Sequence, residues 1–243
     1  MLIIVDGVES DYPNATIPQY TTKSQIFSFE FCPIQYFKQY ILKEPQEPTY
    51  EMVIGTRFHE YAETFFNNID EIPYELWQET IPFNFSEYEK QMCLNFLCKE
   101  DLRYESTDYE MFKPYNVEMW CQSENLKLRG FIDRIDWKNK DENELMLVEY
   151  KTGSSFKDVQ LRQELALYSL LFNDVTENRF TITHTACFNP KLNKYEEWEL
   201  KQRDINNVMR KWNRLNDALN DMTFVSKCDD FKQINCGRCK NYD

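Results

Sequence analysis

The 243-residue chain contains little glycine, little histidine and few basic residues. Its five glycines are widely spaced, which excludes both the glycine-rich phosphate loop and the dinucleotide-binding fingerprint. Two histidines leave little material for a metal site built from several imidazoles. A formal net charge of −13 is a poor first indication for a protein that binds nucleic acid.

The acidic excess is concentrated in one segment of the chain. Residues 44–125 contain 18 acidic and 5 basic residues, whereas residues 201–243 contain 9 basic and 6 acidic residues. The other segments are close to neutral. The total charge therefore says little about any particular surface.

Long apolar runs and a secretion signal are also missing from the sequence. No stretch of about 18 uninterrupted apolar residues occurs, so we expect no membrane span. The apolar run at the N-terminus is broken by Asp6 and is not preceded by basic residues, so it is not typical of a signal peptide. We expect the protein to be located in a reducing compartment. This compartment would be the cytoplasm, or the host cytoplasm if the protein is viral.

The pattern of apolar residues predicts alternating groups of helices and strands. Spacings of three and four predict helices over 27–42, 51–66, 86–101, 158–172 and 203–220. Alternation and short apolar runs predict strands over 117–121, 126–137, 145–150, 179–188 and 195–200. Since no linker or repeat divides the chain, we expect one α/β domain over residues 1–243.

Two predicted strands bring acidic residues together. A hairpin centred on Asp141 would place Asp133 directly opposite Glu149, with the Cβ atoms about 4.5–5.5 Å apart. Lys151 lies two residues after Glu149 and would point to the same face of the sheet. The hairpin therefore predicts two carboxylates and one ammonium group at one place.

Two opposed carboxylates form an oxygen site suited to Mg²⁺ or Mn²⁺. Such an ion polarises a phosphodiester and acidifies the water that attacks it, and Lys151 could stabilise the charge that develops. His59, on the predicted helix 51–66, could add an imidazole ligand. The alternative interpretation is a cluster of ion pairs on a solvated sheet face.

These motifs, taken in order, resemble those of a known family. The set consists of Gly-x-x-x-His ending at His59, Gly-x-x-Asp ending at Asp133, Glu-x-Lys-Thr-Gly starting at Glu149 and a helix with glutamine and tyrosine. It is similar to the RecB-like branch of the PD-(D/E)XK nucleases, which includes CRISPR-associated and phage exonucleases. The step Cys32-Pro33 matches the first helix of many members, and the resemblance covers about residues 24–240.

The resemblance implies a restriction-endonuclease-like α/β fold with a central mixed sheet flanked by helices. It also implies a Mg²⁺- or Mn²⁺-dependent DNA nuclease, an exonuclease that favours single-stranded ends. The metal ligands would then be His59, Asp133, Glu149 and the main-chain carbonyl of Tyr150, and Lys151 would be the catalytic lysine.

The helix that follows Lys151 departs from the family pattern. The family places a glutamine four residues before its tyrosine, and this chain has Glu164 there, next to Gln163. We expect Gln163 and Tyr168 to lie on the substrate side of the site.

Four cysteines form a second candidate site. Cys236 and Cys239 make a clip with two intervening residues, which is typical of a site for Zn²⁺ or an iron–sulfur cluster. The resemblance implies a [4Fe–4S] cluster that also uses Cys32, and Cys228 could replace the final cysteine of the family. Bound Zn²⁺ and plain thiols are the alternatives.

Other functions remain open from the sequence. The chain could be a catalytically silent DNA-binding or adaptor module of the same fold, in a recombination or phage DNA-processing complex, or a phosphodiesterase directed at RNA or nucleotides. Basic residues of the last predicted helix could contact a phosphate backbone or form a solvated face: Arg203, Arg210, Lys211 and Arg214.

Overall fold

The computed structural model describes residues 1–227. Within this range the chain forms two compact units. The first unit contains residues 1–47, 127–129 and the described chain from 206 onward, and the second contains residues 48–126 and 130–205. The single-domain organisation stays a prediction.

The helices are α1 (Lys23–Phe31), α2 (Pro33–Tyr36), α3 (Tyr50–Asn67), α4 (Glu87–Ser106), α5 (Tyr109–Phe112), α6 (Asp158–Val175) and α7 (Gln202–Asn220). A π-helical turn spans Phe37–Ile41 and a 3₁₀ helix spans Tyr74–Thr80. The strands are β1 (Leu2–Val5), β2 (Val8–Asp11), β3 (Asn116–Ser123), β4 (Leu128–Asn139), β5 (Glu144–Tyr150), β6 (Thr181–Asn189), β7 (Lys194–Glu199) and β8 (Thr223–Phe224). None of the described helices is long and apolar enough to cross a membrane.

A mixed five-stranded sheet is the centre of the second unit, with the strand order β3-β4-β5-β6-β7. Strand β4 pairs antiparallel with β5, β5 pairs parallel with β6, and β6 pairs antiparallel with β7. Helix α6 makes the crossover that two parallel neighbours require. The predicted fold class, a central mixed sheet flanked by helices, is confirmed.

Strand β5 is buried on both of its faces. Met146, Val148 and Tyr150 lie in the apolar core that α3 and α4 share with the sheet. The alternate residues Leu145 and Leu147 are also fully buried. Burial on both faces explains why β5 appears in the sequence as a continuous apolar run rather than an alternating one.

The helices that cover this sheet begin at polar caps. The Thr49 side chain accepts a hydrogen bond from the Met52 amide at the start of α3. Ser86 and Glu89 form a reciprocal capping box at the start of α4. The helices predicted over 51–66, 86–101, 158–172 and 203–220 are confirmed, and each differs from its predicted bounds by no more than five residues at either end.

The helix predicted over 27–42 is wrong as a single helix. The chain leaves the helical conformation at Cys32, where φ is −156° and ψ is 105°, and a new helix begins at Pro33. A proline disfavours the helical conformation of the residue before it but is well suited to the first turn of a helix. The Cys32 sulfur then accepts a hydrogen bond from the Gln35 amide and caps α2.

The first unit contains a small sheet that the sequence pattern does not predict. Its strand order is β2-β1-β8, with β1 antiparallel to β2 and parallel to β8. Strands of two to four residues are too short to show periodicity, and β1 and β8 are more than 200 positions apart in the chain.

A network of buried charges lies on the α4 side of β4 in the second unit. Arg134 pairs with Glu100 (2.7 Å) and with Asp136 (2.8 Å), and all three side chains are nearly inaccessible to solvent. Arg103 also binds Glu100, at 2.8 Å. Burial alone would raise the pKa of Glu100, but Arg103 and Arg134 outweigh it and hold that pKa below its ordinary value. The network depends on Glu100 remaining ionised.

Glu100→Gln should lower the free energy of unfolding by about 3–5 kcal/mol, because it leaves buried guanidinium charge uncompensated. Since the folded protein lowers the pKa of Glu100, this carboxylate stabilises the fold above its unfolded pKa of about 4.3. That contribution is lost as the pH falls through the lower, folded pKa. The wild type should therefore lose more stability on acidification than the variant, as measured by urea unfolding between about pH 3 and pH 7. The exposed Glu87→Gln on the same helix is the control, with an expected change of at most about 0.5 kcal/mol.

Helix α6 approaches β4 closely at Gly130. A Cβ atom built on Gly130 would lie 2.9 Å from Cε1 and 3.0 Å from the hydroxyl oxygen of Tyr168. Tyr168 is itself buried, so its ring has little room to move. Only glycine leaves the Tyr168 ring in place at this contact.

Gly130→Ala should therefore destabilise the protein by about 1–3 kcal/mol through overpacking. Gly153→Ala is the matched control, because nothing lies within 4 Å of a Cβ atom at that position. Thermal unfolding of both variants checks this prediction, and equal melting temperatures for the two would contradict it.

Candidate metal centre

The β4–β5 hairpin has the predicted register over most of its length. The pairs run from Arg134↔Val148 to Trp137↔Leu145, and the register shifts only near the turn, between Trp137 and Asn139. Asp133 directly precedes Arg134, and Glu149 directly follows Val148. The hairpin thus brings Asp133 and Glu149 to neighbouring positions at its open end.

A hydrogen bond fixes the orientation of Asp133. The Tyr150 amide donates to Asp133 Oδ2 at 2.7 Å. The other carboxylate oxygen, Oδ1, lies 3.6 Å from His59 Nδ1. One oxygen of Asp133 is therefore held by the backbone of β5, and the other faces the imidazole.

Helix α3 positions His59 through the residue before it. The Phe58 ring packs edge-on against the buried Tyr150 ring, with the ring centroids 5.6 Å apart. The helix also approaches the segment after β5, because a Cβ atom on Gly55 would lie 2.9 Å from Thr152 Oγ1. In the Gly-x-x-x-His motif, the glycine thus allows the helix to approach Thr152 closely, and the histidine lies one helical turn later.

Glu118 is a site residue that the sequence analysis missed. Its Oε1 lies 3.2 Å from His59 Nδ1. The backbone φ of Glu118 is +46°, an uncommon left-handed conformation for a residue with a side chain. Such outliers are concentrated at functional sites. Nothing in the alternating pattern of β3 indicates this irregularity, so the sequence offered no signal for it.

The ligand atoms of His59, Glu118 and Asp133 all lie within 4.8 Å of one another. Burial alone would lower the pKa of His59, but the carboxylates of Asp133, Glu118 and Glu149 raise it to about 9. In the protein without a cation, the imidazole therefore carries a proton at neutral pH. That proton supplies the positive charge that a metal ion would supply, and a metal ion would have to displace it.

Lys151 lies between two carboxylates. Its Nζ is 2.7 Å from Glu149 Oε1 and 2.9 Å from Glu164 Oε2. The Gln160 side chain donates to the other oxygen of Glu164 at 2.7 Å. About a third of the Lys151 side chain is exposed, whereas both carboxylates are almost fully buried. The ammonium group is thus held in place while it remains accessible from solvent.

Glu164, rather than its neighbour Gln163, contacts Lys151. Gln163 is buried, with 5% of its surface exposed. Tyr168 lies one helical turn after Glu164. Burial, with the carboxylates of Glu149 and Asp133, raises the pKa of Tyr168 well above its ordinary value, so its hydroxyl stays protonated. The roles predicted for Gln163, Tyr168 and the carbonyl of Tyr150 remain predictions.

Asp136 lies within the hairpin, on β4, but outside the candidate site. The hairpin periodicity predicts that it faces away from Asp133. Asp136 pairs with Arg134 in the buried network instead.

The remaining predicted residues belong to the first unit or to segments that are not described. Cys228, Cys236 and Cys239 lie outside the described residues, so the [4Fe–4S] cluster, and Zn²⁺ as its alternative, remain predictions. All four predicted cations of α7 have contacts within the protein, and Arg203 Nε lies 3.9 Å from Asp204 Oδ1. Arg214 pairs with Glu30 at 2.7 Å, Arg210 binds Asn207, and Lys211 lies over the Phe27 ring.

Comparison with known proteins agrees with this geometry. The sequence model of the PD-(D/E)XK nuclease superfamily matches residues 21–241. A crystal structure of a candidate exonuclease from Eubacterium rectale has a similar fold, with a TM-score of 0.51 and 11% sequence identity over 84% of this chain and 82% of that one. Among curated proteins, no significant match was found. The chain belongs to the PD-(D/E)XK nuclease superfamily.

Proposed function

We propose that this protein is a deoxyribonuclease that hydrolyses phosphodiester bonds in DNA with the help of Mg²⁺ or Mn²⁺. The observation that carries the proposal is the convergence of the ligand atoms of His59, Glu118 and Asp133 beside an accessible, doubly paired Lys151. Membership of the superfamily supports a hydrolase that acts on nucleic acid.

The donor set fits a divalent cation. Asp133 and Glu118 offer hard carboxylate oxygens, and the carboxylates that raise the pKa of His59 favour a positive charge at the centre of the cluster. Glu149 lies close enough to raise the pKa of His59, so it belongs to the same electrostatic environment. Together with the Tyr150 carbonyl, these are the residues that would hold the ion.

The side chains around this centre have separable roles. A bound Mg²⁺ or Mn²⁺ supplies polarisation of the phosphodiester and acidification of the attacking water. Lys151 presents its ammonium group to the negative charge that develops on the phosphate. Because Lys151 contacts both carboxylates, Glu164 would keep Lys151 oriented if Glu149 held the ion. Tyr168, which keeps its proton, acts as a hydrogen-bond donor and not as a base.

We further propose that the enzyme is an exonuclease that favours single-stranded ends. The family resemblance supports this assignment, as does the name of the structural neighbour, a candidate exonuclease. A silent DNA-binding module is the alternative, but such a protein has no chemical need for an oriented lysine beside clustered carboxylates.

The direct test is a nuclease assay on labelled single- and double-stranded DNA with Mg²⁺ or Mn²⁺. The wild type should cleave, and chelation of the ion should stop the reaction. Lys151→Ala should lower kcat by about 10²- to 10³-fold, because charge stabilisation in the transition state is lost. Asp133→Ala should reduce the activity to background.

The exposed Glu142→Gln, in the β4–β5 turn, is the matched control and should cleave like the wild type. Equal cleavage by the wild type, Lys151→Ala and Asp133→Ala would indicate a contaminating nuclease and would contradict the assignment. A labelled RNA of the same sequence tests the alternative of an RNA-directed enzyme.

A separate experiment tests the role of Glu118, because the sequence did not predict this residue. Glu118→Gln should weaken Mn²⁺ binding by about 10-fold or more, since it removes a negative ligand at the centre. Isothermal titration calorimetry of the wild type, Glu118→Gln and Glu142→Gln measures this effect. Equal Mn²⁺ affinity in all three proteins would show that Glu118 is not a ligand.

A further inference from the structure

Two aromatic side chains are exposed beside the metal centre. Trp120 on β3 and Phe131 on β4 have 47% and 51% of their surface exposed. Their ring centroids are 4.7 Å apart, and the ring planes are tilted by 54°. This aromatic pair, Trp120 with Phe131, therefore presents a contiguous π surface to solvent.

Each residue of the aromatic pair is close in sequence to a residue of the metal centre. Trp120 lies two residues after Glu118, and Phe131 lies two residues before Asp133. Two residues of a strand span about 7 Å. One strand of a nucleic acid advances by about 3.4 Å per nucleotide when it is stacked. The aromatic pair is therefore within one or two nucleotides of a phosphate at the metal centre.

The charge of the surrounding chain favours binding by stacking. Residues 44–125, which include Glu118 and Trp120, hold most of the acidic excess of the protein. Phosphate contacts made by this segment are weakened, because like charges repel. Stacking between a base and an aromatic ring does not depend on net charge, and it contributes about 1–3 kcal/mol per base.

We propose that Trp120 and Phe131 form a stacking site for one unpaired nucleobase of the substrate strand, next to the phosphate that is cleaved. The inference rests on the proposed function and deepens it. A base within a duplex already stacks on its neighbours and cannot lie on the aromatic pair. The site therefore selects nucleic acid with an unpaired end or a frayed terminus.

The test is a coupling experiment in a Lys151→Ala background, which slows cleavage by about 10²- to 10³-fold, so that binding is measured before the strand is cut. Fluorescence anisotropy with Mg²⁺ measures the affinity for single-stranded oligonucleotides that carry one abasic residue, moved along the strand. With Trp120 and Phe131 present, one abasic position should weaken binding by about 5- to 100-fold. With Trp120→Ala and Phe131→Ala combined, the same abasic residue should have no effect, because its stacking partners are gone.

Two further proteins distinguish stacking from a general loss of structure. Phe83→Ala removes a phenylalanine that is 94% exposed and should keep the full abasic effect. Phe131→Tyr keeps an aromatic ring and should also keep the full abasic effect. In the protein with both aromatic residues intact, 2-aminopurine at the sensitive position should lose fluorescence on binding, which tests stacking even if the double alanine variant does not fold.

Any one of three results would overturn the proposal. The abasic effect could have the same size with and without the two rings, it could be absent at every position, or 2-aminopurine could remain unquenched on binding. The nuclease assay with Lys151 intact separates this failure from failure of the proposed function. Cleavage without the coupling contradicts the stacking site alone. The coupling without cleavage contradicts the nuclease assignment alone.

Discussion

The hydrogen bond from the Tyr150 amide to the Asp133 carboxylate is the interaction on which the rest of the site depends. It holds one oxygen of Asp133 against β5 at 2.7 Å and leaves the other facing His59. The same residue, Tyr150, is fixed from the opposite direction, because Arg134 Nη1 donates to its hydroxyl at 2.9 Å. Tyr150 therefore connects the metal centre to the buried ion network behind it.

This connection has an energetic consequence. The network of Glu100, Arg134 and Asp136 is buried, so it is stable only when every charge has its partner. At the open end of the same hairpin, the metal centre concentrates carboxylates that repel one another when no cation is bound. The protein offsets part of that repulsion with the His59 proton and with the Lys151 ammonium group. The buried ion network thus holds Tyr150 in place, and Tyr150 in turn orients Asp133 at the metal centre.

The sequence predicted those parts of the site that follow from local patterns. The register that opposes Asp133 and Glu149 follows from the symmetry of one short hairpin, and the His59 helix follows from its spacing of apolar residues. Glu118 could not be predicted, because its role depends on a left-handed backbone conformation within β3 and on a helix about 60 residues earlier in the chain. The preference of Lys151 for Glu164 over Gln163 depends on the rotation of α6, which a pattern of apolar residues does not determine to within one residue.

His59, Glu118 and Asp133 are proposed to hold a divalent cation. Crystals soaked in Mn²⁺ test this proposal most directly, because the anomalous signal locates the ion without any assumption about activity. One strong peak is expected about 2 Å from the His59 imidazole and from oxygens of Glu118 and Asp133. A peak bound only by other residues, or none at saturating Mn²⁺, would contradict it.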